Sequence, residues 1–344
     1  MANKNSNYKF IDLFAGIGGF RIALNSLGLE CVFSNDYDKH ACTTYSANFG
    51  EIQCKDVNEI KAHEIPEFDM LCGGFPCQPF SIAGVSKKNS LGMKHGFEDK
   101  KQGNLFFEII RIINHHNPKI LFLENVKNLK SHDKGKTWGV IKSELERAGY
   151  YVFDKIVDGK YYVPQHRERI YIVCFNKSVF PKIKFEFPEY PKKRAYELVD
   201  VVSGKVDEKY TLTDHLWNYL QNYKKKNQEK GNGFGFGLID KDKDEYTRTM
   251  SARYHKDGSE ILLYQKGKNP RRVTPKEAAK LQGFPDNFII PVSDTQAYRQ
   301  FGNSVVVPAI FATAQKIIQT VNEYNSGGAR DKALSLFEYT YEKA

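Results

Sequence analysis

The sequence predicts an α/β fold built on a largely parallel, doubly wound sheet, with a smaller unit inserted before the chain returns to the first. Three observations predict it. Over the first 177 residues, short apolar runs alternate with amphipathic stretches, the strand–helix rhythm of a parallel sheet. At the end of that region two strand patterns lie too close together for a crossover helix. From about residue 178 the character changes: Pro181, Pro188 and Pro191 punctuate the chain and basic residues accumulate.

Taken in order, a strand over 10–14 runs into Ala15-Gly16-Ile17-Gly18-Gly19, and a helix over 20–27 follows. A strand over 31–34 precedes a helix over 39–48, and 52–54 is a short third strand. Residues 69–72 form a buried strand, 105–115 a helix, 119–123 a strand, and 136–148 a helix stopped by Gly149. The strands over 152–157 and 169–175 flank 11 residues that include Pro164, so an antiparallel hairpin closes the sheet. An amphipathic helix over 305–321 packs back on the first unit. The stretch 326–344 carries no functional signal.

Composition excludes several classes. The 344 residues carry a formal net charge of +10, and residues 178–282 hold 22 Lys/Arg against 15 Asp/Glu, a net +7. An excess concentrated in one region suits a polyanionic partner. No apolar run approaches ~18 residues, and the polar N-terminus lacks the apolar stretch of a signal peptide, so a cytoplasmic location is expected. The six cysteines form no C-x-x-C pair, so neither a metal site nor a disulfide framework is expected. Five are read as small buried hydrophobes; Cys77 is set apart.

Four sites carry chemistry. At 10–19 a strand enters a glycine-rich turn and a helix, which lets backbone approach a ligand closely; tight packing is the bland alternative. The glycines at 16, 18 and 19 do not match G-x-G-x-x-G. Asp36 after the second strand can bind ribose hydroxyls, and Asp56 follows the third. No phosphate-neutralising arginine follows the second strand, so a nucleoside cofactor such as S-adenosylmethionine fits better than a dinucleotide. The second site, Gly73-Gly74-Phe75-Pro76-Cys77-Gln78-Pro79-Phe80-Ser81, follows the fourth strand. Loops at that end of such a sheet hold ligands, and a cysteine held there between glycines and prolines can act as a thiolate nucleophile. The third, Glu124-Asn125-Val126, places a carboxyl group after the fifth strand, where it can protonate a ring nitrogen or merely serve as a helix N-terminal acid. In the fourth, Gln165-His166-Arg167-Glu168-Arg169, the two arginines share a face of a strand and favour an anion or a carbonyl oxygen.

Together these sites, in this order, resemble the bacterial DNA (cytosine-5)-methyltransferases of type II restriction–modification systems. Residues 10–19 look like the family's cofactor motif, 75–81 like its Pro-Cys-Gln motif, 124–126 like Glu-Asn-Val, and 165–169 like Gln-x-Arg-x-Arg. Residues 272–288 resemble the motif that joins and orients the small domain, and Gln300-Phe301-Gly302-Asn303-Ser304-Val305 the last motif, which returns to the cofactor. Six motifs in order cover nearly the whole chain.

The resemblance implies a Rossmann-like, S-adenosylmethionine-dependent methyltransferase domain with an inserted target-recognition domain. Its expected division is 1–198 for the first part of the catalytic domain, 199–275 for target recognition, 276–302 for the hinge, and 303–344 for the return and tail. It implies attack of Cys77 on C6 of a flipped-out cytosine, with Glu124 at N3, Arg169 at O2 and Arg167 supporting the site; S-adenosylhomocysteine is the second product. Implied cofactor contacts are Phe14, Gly16, Gly18, Asp36, Tyr37, Asp56, Val57, Pro76, Leu105, Asn303 and Val305, and no metal. Residues 81–104 would be the loop that closes on DNA, with Ser81 touching it. Lys101-Gln102-Gly103 departs from the commoner Arg-Gly at its end. In the small domain Arg248, Arg253 and His255 are candidate base readers, whereas Lys224, Lys225 and Lys226 suit phosphate or plain solvation. Their stretch and Gly231-Asn232-Gly233-Phe234-Gly235-Phe236-Gly237 look like the recognition regions of methylases acting on CCGG and CC-x-GG sites. Duplex DNA is the expected partner, with a cognate restriction endonuclease as a functional partner and a monomer as the working state.

Three rivals stand beside this. A tRNA cytosine-C5 methyltransferase would carry a Cys-Phe-Thr signature, which is not found. A binding protein on a dead methylase fold would not need Cys77, Glu124, Arg167 and Arg169 together. A dehydrogenase would explain the glycine turn but not Pro-Cys-Gln.

Overall fold

The computed structural model describes residues 8–76, 105–202, 204–231 and 235–327. Seven strands make the central sheet: β1 (Lys9–Leu13), β2 (Glu30–Asp36), β3 (Gln53–Cys54), β4 (Met70–Gly74), β5 (Ile120–Val126), β6 (Tyr150–Asp158) and β7 (Glu168–Asn176). Their order is β3-β2-β1-β4-β5-β7-β6. The first five pair in parallel, and β7 pairs antiparallel with both β5 and β6. The expected terminal hairpin is therefore present, with its second strand in the inner position.

Side chains alternate between two apolar layers, as a sheet covered on both faces requires. Phe10, Cys72, Ile120, Phe122 and Val173 enter one core with the helices α1 (Gly19–Asn25) and α2 (Lys39–Phe49). Ile11, Leu13, Leu71, Leu121, Leu123 and Ile172 enter the other, with α3 (Leu105–His116) and α4 (Lys136–Arg147).

Among the boundaries that differ from the sequence expectation, three have a clear local reason. β1 stops at Leu13 because Phe14 already takes a left-handed φ of 55°. β2 continues to Asp36 because β3 pairs with its last two residues. β5 continues to Val126 because β7 pairs with it along its whole length, so Glu124 and Asn125 belong to the strand rather than follow it.

After the sheet come α5 (Leu198–Val201) and α6 (Asp214–Glu229), then a three-stranded sheet of β8 (Leu238–Ile239), β9 (Leu262–Leu263) and β10 (Arg271–Arg272), with β9 central. Leu212, Leu220 and Leu262 form a small core there with Leu216, Trp217 and Phe236. Ile239, Met250, Tyr254, Ile261 and Leu263 join the main core instead, so the packing between the two regions is continuous. A buried bidentate pair, Arg271 to Glu277 with both contacts at 2.8 Å, ties β10 to α7 (Pro275–Leu281). The chain then returns through α8 (Asp294–Asn303) and α9 (Val307–Asn325), and α9 packs on α1. By length and composition Asp294–Asn325 could cross a membrane, but 72% of its apolar window is buried in the fold.

Candidate functional site

The strand order reverses between β1 and β4, and the crevice outside their carboxyl ends is where such sheets hold ligands. The turn after β1 is built for close approach. Phe14, Gly16 and Gly18 take φ of 55°, 55° and 85°. At Gly18 a Cβ would lie 2.3 Å from the Phe49 ring, and at Gly19 it would lie 2.5 Å from Val305 Cγ2. Gly16 faces open space. The Gly16 N–H donates to Asp36 Oδ2 at 2.8 Å, and the Asp38 N–H donates to Asp36 Oδ1 at 2.8 Å, which aims the carboxylate at the turn. Burial raises the Asp36 pKa, opposed by those backbone donors. Next to it Tyr37 is 72% exposed.

The remaining cofactor candidates are more scattered in environment. Asp56 Oδ1 caps the turn that starts at Val57, accepting from Asn58 N at 2.9 Å, and Val57 is buried. Pro76 is exposed after β4, and Leu105 opens α3 half-buried. Asn303 is exposed at the end of α8, while buried Val305 lies against Gly19.

Across the crevice stands Glu124. Arg169 Nε lies 3.1 Å from Glu124 Oε1. A Cβ on Gly74 would lie 3.3 Å from Glu124 Oε2, so the carboxylate rests beside the end of β4. Burial raises the Glu124 pKa, and the Arg169 and Arg167 charges pull it back down. The neighbouring Asn125 Nδ2 donates to Phe75 O at 2.7 Å. That bond holds the chain leaving β4 beside the strand that carries Glu124. Cys77 and Ser81 lie outside the described residues, as does the segment 77–104.

Arg167 sits differently from Arg169. Its guanidinium is buried and donates to three main-chain carbonyls: Met250 at 2.9 Å, Gly302 at 3.1 Å and Ser304 at 2.6 Å. Burial pushes its pKa down to about 9, with Arg169 pushing the same way and Glu124 opposing. Gln165, also buried, donates to Leu281 O and accepts from Met250 N, both at 2.8 Å. Sequence reasoning passed over Gln165 and Asn125 as tethers. Their signal was present: each is an amide side chain inside an otherwise apolar or charged motif.

Those tethers bring the second region to the site. Thr247 N donates to Pro164 O, and His166 N to Thr247 O, both at 2.9 Å. Arg248, the next residue, is exposed. Arg253 is exposed and His255 half-buried on the short turn Ala252–His255, where His255 Nδ1 lies 2.9 Å from Ala252 O. Gly302 has no room for a side chain, because a Cβ would lie 2.3 Å from Ser251 O.

The sequence profile of the family described as C-5 cytosine-specific DNA methylase matches residues 8–319. The chain is 50% identical to the type II methyltransferase M.DsaV of Dactylococcopsis salina, over 91% of this chain and 87% of that protein. It is 51% identical to M.SsoII of Shigella sonnei, over 93% of this chain and 82% of that protein. Among solved structures, a Spodoptera frugiperda DNMT2 variant superposes with a TM-score of 0.71 at 21% identity, covering 91% of this chain and 99% of its own, a likeness of fold.

Proposed function

The chain belongs to the C-5 cytosine-specific DNA methylase family and is a DNA cytosine methyltransferase of the type II restriction–modification kind; from that premise we propose that it methylates C5 of a flipped-out cytosine through a covalent bond to Cys77. The observation that carries this is the Glu124–Arg169 pair beside the end of β4, next to the chain that enters the Pro-Cys-Gln segment.

The proposed division of labour follows from chemistry. The Cys77 thiolate adds to C6, which makes C5 enamine-like and able to take a methyl group. Glu124, whose burial favours the protonated form, donates to N3 and so stabilises the charge that develops as the ring is attacked. Arg169 holds O2, and Arg167 supports it from the interior. Loss of the C5 proton and expulsion of the thiolate free the enzyme. Extracting the base costs roughly a few kcal/mol, which contacts made only with the flipped base offset.

S-adenosylmethionine, when bound, supplies an activated methyl group as a sulfonium. The residues present fit it. Gly16 leaves open space beside a carboxylate, Asp36, that suits ribose hydroxyls, and exposed Tyr37 offers an aromatic face. We extend the binding set to Phe14, Gly18, Asp56, Val57, Pro76, Leu105, Asn303 and Val305. Residues 199–275 act as the target-recognition unit on duplex DNA, with 276–302 as hinge. Ser81, Arg248, Arg253 and His255 contact DNA at a short palindrome of the CCGG or CC-x-GG type. The enzyme works as a cytoplasmic monomer, protecting DNA from a cognate restriction endonuclease.

A duplex carrying 5-fluorocytosine at the target tests the mechanism, because the proton that must leave C5 is absent. A stable protein–DNA adduct on denaturing gels is expected with the wild type and not with Cys77→Ser. Equal amounts of adduct from both proteins would remove Cys77 from the reaction.

A further inference from the structure

The glycine–aromatic stretch before β8 has no part in the chemistry above. Its described residues, Gly235-Phe236-Gly237, have two cationic side chains laid along them. A Cβ on Gly235 would lie 2.8 Å from Lys224 Cγ, and one on Gly237 would lie 2.9 Å from Arg248 Cδ and 3.1 Å from its Nε. Arg248 Nη1 also donates to Gly235 O at 3.4 Å. Between them, the Phe236 ring stands edge-on to Trp217 at 4.7 Å, with Lys224 Nζ 4.5 Å from its centroid. The ring is anchored in the small core of Leu212, Leu220 and Leu262.

Two like charges are thus gathered on one ribbon. Among the described residues, neither forms an ion pair with a carboxylate. The Lys224 ammonium also has a cation–π contact with the Phe236 ring. The two cations differ in what they can recognise: lysine is a point charge, whereas the arginine fork matches two acceptors in a plane. Arg248 is also fixed from behind. Thr247 is bonded to the 164–166 stretch on both sides, and Thr249 Oγ1 donates to His166 O at 2.6 Å. Its backbone is thereby held at a set offset from Arg167 and Arg169.

We propose that Gly235-Phe236-Gly237 is a platform that splits DNA contact between two cations: Arg248 reads the N7/O6 edge of a guanine, and Lys224 neutralises a neighbouring phosphate. Gly235 is bare so that Lys224 can lie flat along it, Gly237 is kept bare both by Arg248 and by the Glu260 carbonyl, 2.5 Å from where a Cβ would stand, and Phe236 and Trp217 are positioning residues. This rests on residues 199–275 being the DNA-binding unit.

Equilibrium binding of the full chain to its methylated site, mapped beforehand, and to a scrambled duplex tests it. Arg248→Ala should weaken cognate binding about 5- to 150-fold, the fold-change of one bidentate base contact, and leave scrambled DNA nearly unaffected. Replacing one particular guanine by 7-deazaguanine should weaken the wild type and add nothing to Arg248→Ala. Lys224→Ala, and Phe236→Leu to a smaller degree, should weaken both duplexes by a similar factor. Lys224→Ala should also lower the slope of log affinity against log salt by about 0.9. If Arg248→Ala weakens both duplexes equally, or Lys224→Ala changes discrimination, the division of labour is wrong while the DNA-binding reading stands. If neither variant alters affinity or salt slope on any duplex, while methylation of DNA continues, the DNA-binding reading of this unit falls as well.

Discussion

Asp12 lies in the middle of β1 with both carboxyl oxygens buried and unpartnered. Burial pushes its pKa up to about 8, against the opposing Arg21 charge. The unfolded chain would ionise near the ordinary value of 3.8, so between those limits the native state alone keeps the proton. Its contribution to stability is full below about pH 4 and is lost as pH rises through about 8. Asp12→Asn removes this titration. Thermal scans should therefore show the variant gaining on the wild type as pH rises from about 5 to about 9; a difference independent of pH would mean Asp12 is charged throughout. At Glu124 burial also raises the pKa, so the rate should fall as pH rises through that raised value. Glu124→Gln keeps a hydrogen bond but cannot release a proton, and should lower kcat by about 10²- to 10³-fold with cofactor affinity preserved. Glu124 was legible because a carboxylate at a strand's end is conspicuous. Asp12 was not, since a lone acid in an apolar run reads as alternation until its neighbours are known.

At the scale of elements, the site depends on how β5 and β7 meet. Their full-length pairing sets Arg169 opposite Val126 and brings it to Glu124. Local patterning located β5, β7 and the hairpin of β6 with β7. It could not show that β7 lies inside β6, because strand order is a long-range property. Nor could it separate the two arginines. An i, i+2 spacing gives one face, but only the third dimension sends Arg167 to the carbonyls of Met250, Gly302 and Ser304. Gly302 is the tightest point of that junction, with Ser251 and Ala252 backbone against it. Gly302→Ala should cost about 1–3 kcal/mol, visible as a lower Tm, because backbone must move to admit a methyl group. An unchanged Tm would show that the Ser251–Ala252 segment is free to shift.

Over the whole molecule, the charge asymmetry read from composition marks the region that would grip DNA. With six to ten phosphate contacts, affinity should drop about 10³- to 10⁵-fold between 50 and 200 mM salt. A flat response in a binding titration would remove the phosphate-gripping role. The division into two units is less sharp than the composition suggests. Met250, Tyr254 and Leu263 are buried in the same core as Phe10 and Val305. Apolar residues read one at a time cannot reveal which core they join. Methyl transfer to DNA cytosine can be read out by bisulfite sequencing of DNA from cells expressing the chain. Protected cytosines are expected at one short palindrome with the wild type and none with Cys77→Ser. No protected cytosines with the wild type, or the same pattern with Cys77→Ser, would contradict that expectation.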